Sequence, residues 1–429
     1  MQVSQLGIRD DFKSVLIEEG ISHLYPPQEE AVKAGILEGK NIILCTPTAS
    51  GKTLASELAM IKALEQKGKV VYIVPLKALA YEKYVDFKKY EKLGFKVILE
   101  VGDLDSGKYA GKPDFDIMVA TAEKCDSIMR SRVDWFTGVK LLVFDEIHLI
   151  ASDRGPVYEI IAAKMLKLLP EIQLIGLSAT IGNAGEIASW LKAVLVECQW
   201  RPVKLREWAV VSKGIESIKK VLKENISKGG QVLVFVNSRR SAESVAEQLS
   251  EMKLNKSEEG RLTAISGEIL SALSNPTKQC ARLSECVKGG VAFHHAGLVN
   301  KQRILVEDSF KEGLIKAIVA TPTLAAGVNT PTRTVVIRDL HRFEDDGMQE
   351  IPVLEYKQMA GRAGRPKYDK EGDSIAFAKS ESDVDYIQEH YINGSVEDIH
   401  SLLGVQPVLR MHILSSIASE FTKTRESLM

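Results

Sequence analysis

Short, nearly continuous runs of Val, Ile and Leu alternate along this chain with longer amphipathic stretches, in two successive sets. The first set lies at 41–45, 70–74, 97–101, 116–121, 141–145 and 173–177. Apolar runs of this length, without polar alternation, suit parallel strands covered on both faces. Between them, 54–65 and 159–169 carry apolar residues at helical spacing. The second set follows at 231–237, 290–294, 317–320, 334–338 and 374–378, with a helical stretch at 241–252. Strand and helix in regular alternation predict a doubly wound α/β fold twice over. The stretch 197–202, ending Trp200-Arg201-Pro202, reads as a linker, so the expected division is 1–197, 198–396 and 397–429.

Beyond residue 408 the pattern changes. Leu409, Ile413, Leu414, Ile417, Ala418 and Phe421 recur at helical spacing and predict one apolar helix face. Thr424, with Glu426 close behind, reads as the N-cap of a further helix. The chain is therefore expected to stop inside a small helical domain, as a shortened form of a longer protein would.

Composition narrows the class. At 429 residues, 45% hydrophobic and 26% charged, the chain has the make-up of an ordinary globular protein of two to four domains. No apolar stretch approaches the roughly 20 residues of a membrane span, and the N-terminus lacks a signal-peptide core. A cytoplasmic location without membrane attachment is the expectation. Lys and Arg number 56 against 57 Asp and Glu, a net charge of −1, so a site for a polyanion must be a local patch. The five cysteines form no CxxC pair, which predicts buried free thiols and no zinc site.

Three segments carry chemistry. The first is Thr46-Pro47-Thr48-Ala49-Ser50-Gly51-Lys52-Thr53, directly after the apolar run at 41–45. Strand, tight loop and helix opening at Gly51-Lys52-Thr53 form the context of a phosphate-binding loop. Backbone N–H groups at a helix N-terminus point at phosphate oxygens, Lys52 supplies a point charge for the β- and γ-phosphates, and Thr53 offers a hydroxyl to Mg²⁺. Thr46 stands where the general pattern has Gly. The second segment is the apolar run at 141–144 ending in Asp145-Glu146-Ile147-His148. Asp145 can hold Mg²⁺ through water, and Glu146 can orient and deprotonate the attacking water. The third is Gln358-Met359-Ala360-Gly361-Arg362-Ala363-Gly364-Arg365-Pro366. Arg362 and Arg365, at i and i+3, share a face if the segment is helical, and two guanidiniums aimed together suit the transition-state charge on a γ-phosphate. Pro366 would end that helix, and the glycines would pack close against the other domain. Ser178-Ala179-Thr180, just past the run at 173–177, can bridge Asp145, Glu146 and His148 to the second domain, or merely cap a helix.

With these motifs assembled, the chain resembles the superfamily-two helicases of the DEAD/DEAH-box-like type, and more narrowly the archaeal Hjm-type DNA repair helicases, relatives of the helicase portion of DNA polymerase theta. The resemblance covers the whole chain. It implies two tandem RecA-like domains with parallel sheets, followed by the start of a winged-helix domain from about residue 397, with ATP and Mg²⁺ as cofactors. It implies that Gln28, in Tyr25-Pro26-Pro27-Gln28, reads the adenine edge with an amide that donates and accepts together. Pro75 and Lys77, Thr121, His295, Thr321 and Arg338 then belong to strand-end motifs that grip the nucleic-acid backbone, with Gly327 and Asn329 at the nucleotide. Phe293-His294-His295-Ala296-Gly297-Leu298 and Ala325-Ala326-Gly327-Val328-Asn329 point to this branch in particular, although His294 and His295 can equally be packed residues. Gln358 and His148, Ser178 and Thr180 would couple ATP, bound between the domains, to the strand.

Asp346-Gly347 is a hairpin signal between two possible strands. The resemblance makes this hairpin a wedge at a duplex junction, with Phe343 stacking on the last base pair. Its tip, Glu344, Asp345 and Asp346, is acidic, so a plain surface hairpin is the alternative. The function implied is a 3′-to-5′ DNA helicase, a monomer acting on single-stranded and forked or branched DNA in repair and replication restart, in company with replication or repair proteins. An RNA helicase of the same superfamily is the alternative within the class. A nucleic-acid scaffold with a vestigial ATPase is the alternative outside it, and the presence of Lys52, Asp145, Glu146, Arg362 and Arg365 speaks against that reading.

Overall fold

The computed structural model describes residues 1–102, 113–131, 133–322, 324, 332–344, 347–366 and 368–424, with the backbone alone at 344. The chain divides into two compact units: Met1–Trp200 with Glu397–Met429, and Arg201–Val396.

The first unit holds β1 (Ile42–Cys45), β2 (Lys69–Val74), β3 (Val97–Glu100), β4 (Ile117–Thr121), β5 (Val139–Phe144), β6 (Gln173–Ser178) and β7 (Val194–Glu197). They form one parallel sheet in the order β3-β4-β2-β5-β6-β1-β7. Every residue of β1, β4 and β6 is buried, so both faces of the sheet are covered. Because all strands run the same way, Thr46, Pro75, Thr121, Asp145 and Ser178 all lie at its carboxyl edge, where α/β sheets place ligands. The helix Lys52–Glu65 buries Leu54, Ala55, Leu58, Met60, Ile61 and Leu64.

The second unit holds β8 (Lys204–Val211), β9 (Val232–Phe235), β10 (Val291–His294), β11 (Ala317–Ala320), β12 (Thr334–Ile337), β13 (His341–Glu344), β14 (Gly347–Glu350) and β15 (Glu371–Ala378). Six of these form a second parallel sheet, β10-β11-β9-β12-β15-β8, and β13 and β14 pair as an antiparallel hairpin. The α/β class and the two parallel sheets agree with the sequence reading.

Two strands escaped that reading, and both are edges. Among the described residues β7 pairs only with β1, and it leaves Val194 and Glu197 exposed. β8 falls just after the expected linker and pairs with β15 over eight residues, from Lys204 opposite Glu371 to Val211 opposite Ala378. Its first half, Lys204-Leu205-Arg206-Glu207, is mostly polar, as an edge strand can leave polar side chains in water, and only Trp208-Ala209-Val210-Val211 is continuously apolar. Arg206 uses that freedom to bridge Glu371 at 3.0 Å and Asp373 at 2.6 Å.

The C-terminal segment forms the helix Gln406–Ala418, but with a different face inward from the one expected. Leu409, Leu414 and Ile417 are exposed, while His412 and Ser416 are buried. Polar contacts with the first unit explain this seating: Arg130 donates to Ser415 Oγ at 3.3 Å, and the Lys164 ammonium sits 5.6 Å from the centre of the Phe421 ring. Glu426 lies outside the described residues.

Candidate functional site

The chain leaves β1 at Cys45 and turns through 46–51 into the helix Lys52–Glu65. Two residues of this turn take the left-handed backbone conformation, Ala49 at φ 65° and Gly51 at φ 85°. For Ala49 that conformation costs about 1–2 kcal/mol, which neighbouring contacts must offset. Thr46 and Ser50 share a buried hydroxyl–hydroxyl bond of 2.6 Å, and the Thr46 amide donates to Ser178 O at 3.2 Å. A Gly at position 46 could not close the first of these. Gly51 is the N-cap and brings no side-chain acceptor to the first N–H groups of the helix, which leaves them for an anion. Lys52 curls back onto its own loop, donating to Thr46 O at 2.9 Å and Pro47 O at 3.3 Å. Pro47 and Thr48 are half-buried.

Gln28 is buried against this loop. Its Nε2 donates to Gly51 O at 3.0 Å, and its Oε1 accepts the Tyr25 amide at 2.7 Å. A Cβ at Gly51 would lie 2.3 Å from Gln28 Nε2, so glycine is required there by space as well as by φ. Tyr25 packs on Trp200 with ring centroids 4.6 Å apart.

β5 delivers Asp145 and Glu146 to the same edge, two strands from β1. Glu146 adopts φ 54°, an uncommon conformation that turns its carboxylate away from the strand direction. Asp145 is buried; its Oδ2 accepts the Tyr72 hydroxyl at 3.2 Å, and its Oδ1 accepts the Glu146 amide at 3.1 Å. Burial, and after it the Glu146 carboxylate, push the Asp145 carboxyl up, while Lys83 and Lys52 pull it back. Lys83, from the helix Lys77–Phe87, donates to Thr53 Oγ1 at 3.2 Å. The hydroxyl of Thr53 and the carboxylate of Asp145 are hard oxygen donors of the kind Mg²⁺ takes, with water and substrate phosphate completing its shell. Among the described residues no three His, Cys, Asp or Glu side chains gather as a metal cluster.

His148 is buried beside these acids. Burial, then the charge of Lys52, push its imidazole down to about 3, so it is neutral at working pH. Its Nδ1 lies 3.4 Å from the Ala179 amide and 3.4 Å from Glu146 Oε2. The amide N–H donates to Nδ1, so the structure links His148 directly to the segment Ser178-Ala179-Thr180. Ser178 is fully buried beside Cys45, and Thr180 is half-buried. Along the same sheet edge Thr121 and Pro75 are buried, Lys77 is exposed, and the Pro75 carbonyl accepts Arg154 Nη1.

In the second unit the arginine segment departs from the expected helix. The helix Val353–Ala360 stops before Arg362, with Gln358 in its last turn. Ala363 bridges to Thr332, and Gly364 takes φ 95°. Arg362 and Arg365 therefore share no helix face, and Pro366 lies well past the helix end. The glycine at 364 is needed within its own unit: a Cβ there would come 2.5 Å from Val203 Cγ1. Arg201 braces the loop, donating to Gly361 O at 2.9 Å and Ala363 O at 3.1 Å. Arg365 forms a two-pronged pair with Asp369, Nε to Oδ2 at 2.8 Å and Nη2 to Oδ1 at 3.1 Å.

His295 is fully buried, stacked on Phe293, with Nδ1 accepting the Gly297 amide at 3.1 Å and Nε2 3.3 Å from Glu243. His295, expected at the nucleic-acid backbone, lies inside the unit, with Nδ1 bonded to the Gly297 amide and Nε2 facing Glu243. His294 is likewise buried, 2.8 Å from Glu307. Thr321 and Arg338 follow the ends of β11 and β12. Phe343 is 79% exposed, opposite the exposed Met348 in the hairpin, which Arg342–Glu355 and Tyr386–Glu350 contacts anchor. Gly327, Asn329, Asp345 and Asp346 lie outside the described residues.

Sequence reasoning missed Tyr72, Lys83, Arg201 and Asp369. Asp369 follows Arg365 by four residues, a spacing that could have revealed the pair. The others are joined to the site only by the fold.

A buried parallel strand, a left-handed loop and an uncapped helix opening on Lys52-Thr53, beside two carboxylates on the same sheet edge, define a protein of the P-loop α/β class. Comparison with known proteins narrows this. Residues 25–187 match the DEAD/DEAH box helicase family, and residues 270–367 match the helicase conserved C-terminal domain. The chain is similar to the ATP-dependent DNA helicase Hel308 of Methanocella arvoryzae, at 43% identity over all of this chain and 61% of the relative. It is also similar to the proteins of that name from Pyrococcus abyssi, at 47% over 98% of this chain and 59% of the relative, and Pyrococcus horikoshii, at 46% over 99% and 60%. The chain spans about three fifths of the length of these relatives. It belongs to the superfamily-two helicases, and within them to the archaeal Hjm-type group.

Proposed function

We propose that this chain is the motor portion of an ATP-dependent DNA helicase that moves 3′ to 5′ along single-stranded DNA and opens forked or branched duplexes in repair and replication restart. The observation that carries the proposal is the uncapped, glycine-opened helix N-terminus at Lys52 with Asp145 and Glu146 on the same sheet edge. The names and identity of the relatives along nearly the whole chain support it.

In this reading the N–H groups of the loop from Thr46 to Thr53 cradle the phosphates, and Lys52 exchanges its loop carbonyls for β- and γ-phosphate oxygens. Thr53 and Asp145 would hold Mg²⁺, which would supply charge neutralisation on the phosphate oxygens. Glu146 orients water and takes its proton as the water oxygen bonds to the γ-phosphorus and the bond to ADP breaks. Gln28 steadies the loop and reads adenine. Arg362 and Arg365, with Gln358, stabilise the transition-state charge; Arg365 must release Asp369 to do so, and that pair keeps the guanidinium ordered meanwhile. Gly327 and Asn329 complete the nucleotide contacts. His148, Ser178 and Thr180 report the state of the phosphate. Pro75, Lys77, Thr121, Thr321 and Arg338 contact the DNA backbone without reading bases, His295 shapes the turn at Gly297, and Phe343 bears on the last base pair of the duplex. The start of a winged-helix domain is assigned to the segment from about 397. The motor is proposed to act as a cytoplasmic monomer, in company with replication or repair proteins; no described helix is long and apolar enough to cross a membrane.

Phosphate release measured with and without single-stranded DNA tests the ATPase, and strand displacement on matched 3′-tailed, 5′-tailed, forked and RNA duplexes tests polarity and substrate. DNA-stimulated turnover that falls at least about 100-fold in Glu146→Gln is expected; full turnover in that variant refutes the catalytic assignment. Equal unwinding of RNA duplexes would move the reading to an RNA helicase. Deletion of 343–349 should remove unwinding while sparing the ATPase.

A further inference from the structure

Lys83 takes no part in the reactions assigned above, yet it is built into their centre. It lies seven residues into the segment that opens with Leu76 and Lys77, on the helix Lys77–Phe87, and is buried. Its ammonium donates to Thr53 Oγ1 at 3.2 Å. Its acidic sequence neighbours are more distant, Asp86 at 3.8 Å and Glu82 at 4.0 Å, and both are more exposed than Lys83 itself. Glu57, the other buried acid nearby, has its own cation in Lys89 at 2.6 Å and its own donor in Tyr90 at 2.7 Å. The Lys83 ammonium thus bonds to the hydroxyl read as a metal ligand.

We propose that Lys83 is a resident counter-cation of the metal position: its ammonium stands at Thr53 Oγ1, and a divalent ion binds there only by displacing it. A divalent ion held by Thr53 Oγ1 and the Lys83 ammonium, 3.2 Å from the same atom, would be two cations sharing one half-buried oxygen. Their repulsion is strong in a low-dielectric site. Metal therefore binds poorly to the empty protein, and the negative charge of a nucleotide is needed to tip the exchange. This couples metal entry to nucleotide entry and keeps the acids in place between turnovers. The inference rests on Thr53 and Asp145 being the metal holders.

The test is Mn²⁺ binding to the nucleotide-free protein, followed by the electron paramagnetic resonance signal of free Mn²⁺. Lys83→Met, which keeps the stem and removes the charge, is expected to bind Mn²⁺ at least tenfold more tightly than the unaltered protein, and Asp145→Ala in that background should abolish the gain. Lys83→Arg, which keeps the charge, should stay within threefold of the unaltered protein. Lys83→Gln, which keeps a donor to Thr53, should bind as tightly as Lys83→Met, and serves if the Met variant does not fold. Mn²⁺ affinity unchanged or weakened in the neutral variants overturns the proposal. The metal-site reading is tested separately with Mn²⁺ and ADP together. Loss of the metal-dependent part of ADP binding in Asp145→Ala keeps that reading standing even if the Lys83 proposal falls, and no loss there removes both.

Discussion

Each unit contains a four-residue, fully buried parallel strand that turns directly into a helix, and the two turns solve the same problem in opposite ways. After β9, Ser238 caps the helix Arg239–Ser250 by accepting the Ser241 amide at 3.2 Å, and Asp339 accepts the Asn237 amide at 3.1 Å. One orphan donor of that helix start, the Ser241 amide, is satisfied by the protein's own side chain. After β1, the N-cap is Gly51 in a left-handed conformation, with no side-chain acceptor. The difference is one hydroxyl against one hydrogen atom at the cap, and it leaves the helix start after β1 without the side-chain acceptor that the start after β9 has.

This contrast can be broken experimentally, most severely at Lys52. Lys52→Ala should lower nucleotide affinity about 100-fold, ~2.7 kcal/mol, in titrations with a fluorescent ADP. Retention of affinity would mean that the uncapped helix alone suffices. Gly51→Ala should destabilise the first unit by about 1–2 kcal/mol from backbone strain, and by more because its Cβ meets Gln28 Nε2 at 2.3 Å. Combining it with Gln28→Ala should recover the collision and leave the strain, read as a partial return of the melting temperature.

A pH series on His148 sharpens the picture of the acid end of the site. The folded ring titrates near 3, below the ordinary value of 6.5. Below that ordinary value the unfolded chain takes up a proton the folded ring refuses, so stability falls as the pH drops from about 6.5 toward 3. The melting temperature of His148→Gln should show a shallower loss over that window, with no difference above pH 7. The smallest effect belongs to the capped turn. Ser238→Ala should cost about 1 kcal/mol of stability and leave nucleotide affinity unchanged; a change in affinity would contradict the division of labour between the two turns.

The strands of both sheets, the phosphate loop and the acids were legible because each is a local pattern, a buried apolar run followed at once by its functional residues. The edge strands β7 and β8 were not: their apolar runs, Val194-Leu195-Val196 and Trp208-Ala209-Val210-Val211, are short, and β8 opens on the charged stretch Lys204-Leu205-Arg206-Glu207. The arginine segment was misread as a helix because spacing alone cannot show that Thr332 draws Ala363 out of helical geometry. The C-terminal helix was foreseen but rotated: its apolar residues are exposed, and the contacts of Ser415 and Phe421 with Arg130 and Lys164 settle its orientation.

By itself the sequence determined the α/β design, the position of the phosphate loop and the placing of Asp145 and Glu146 at a strand end. These depend on side-chain period and on neighbours within a few residues. The tertiary structure decided what those residues touch. It brought Lys83 onto Thr53, Tyr72 onto Asp145 and Gln28 onto Gly51, and it withdrew His295 into the core. Such contacts join segments far apart in the chain, and only the packing of helices against a parallel sheet fixes which of many possible partners come within hydrogen-bonding distance.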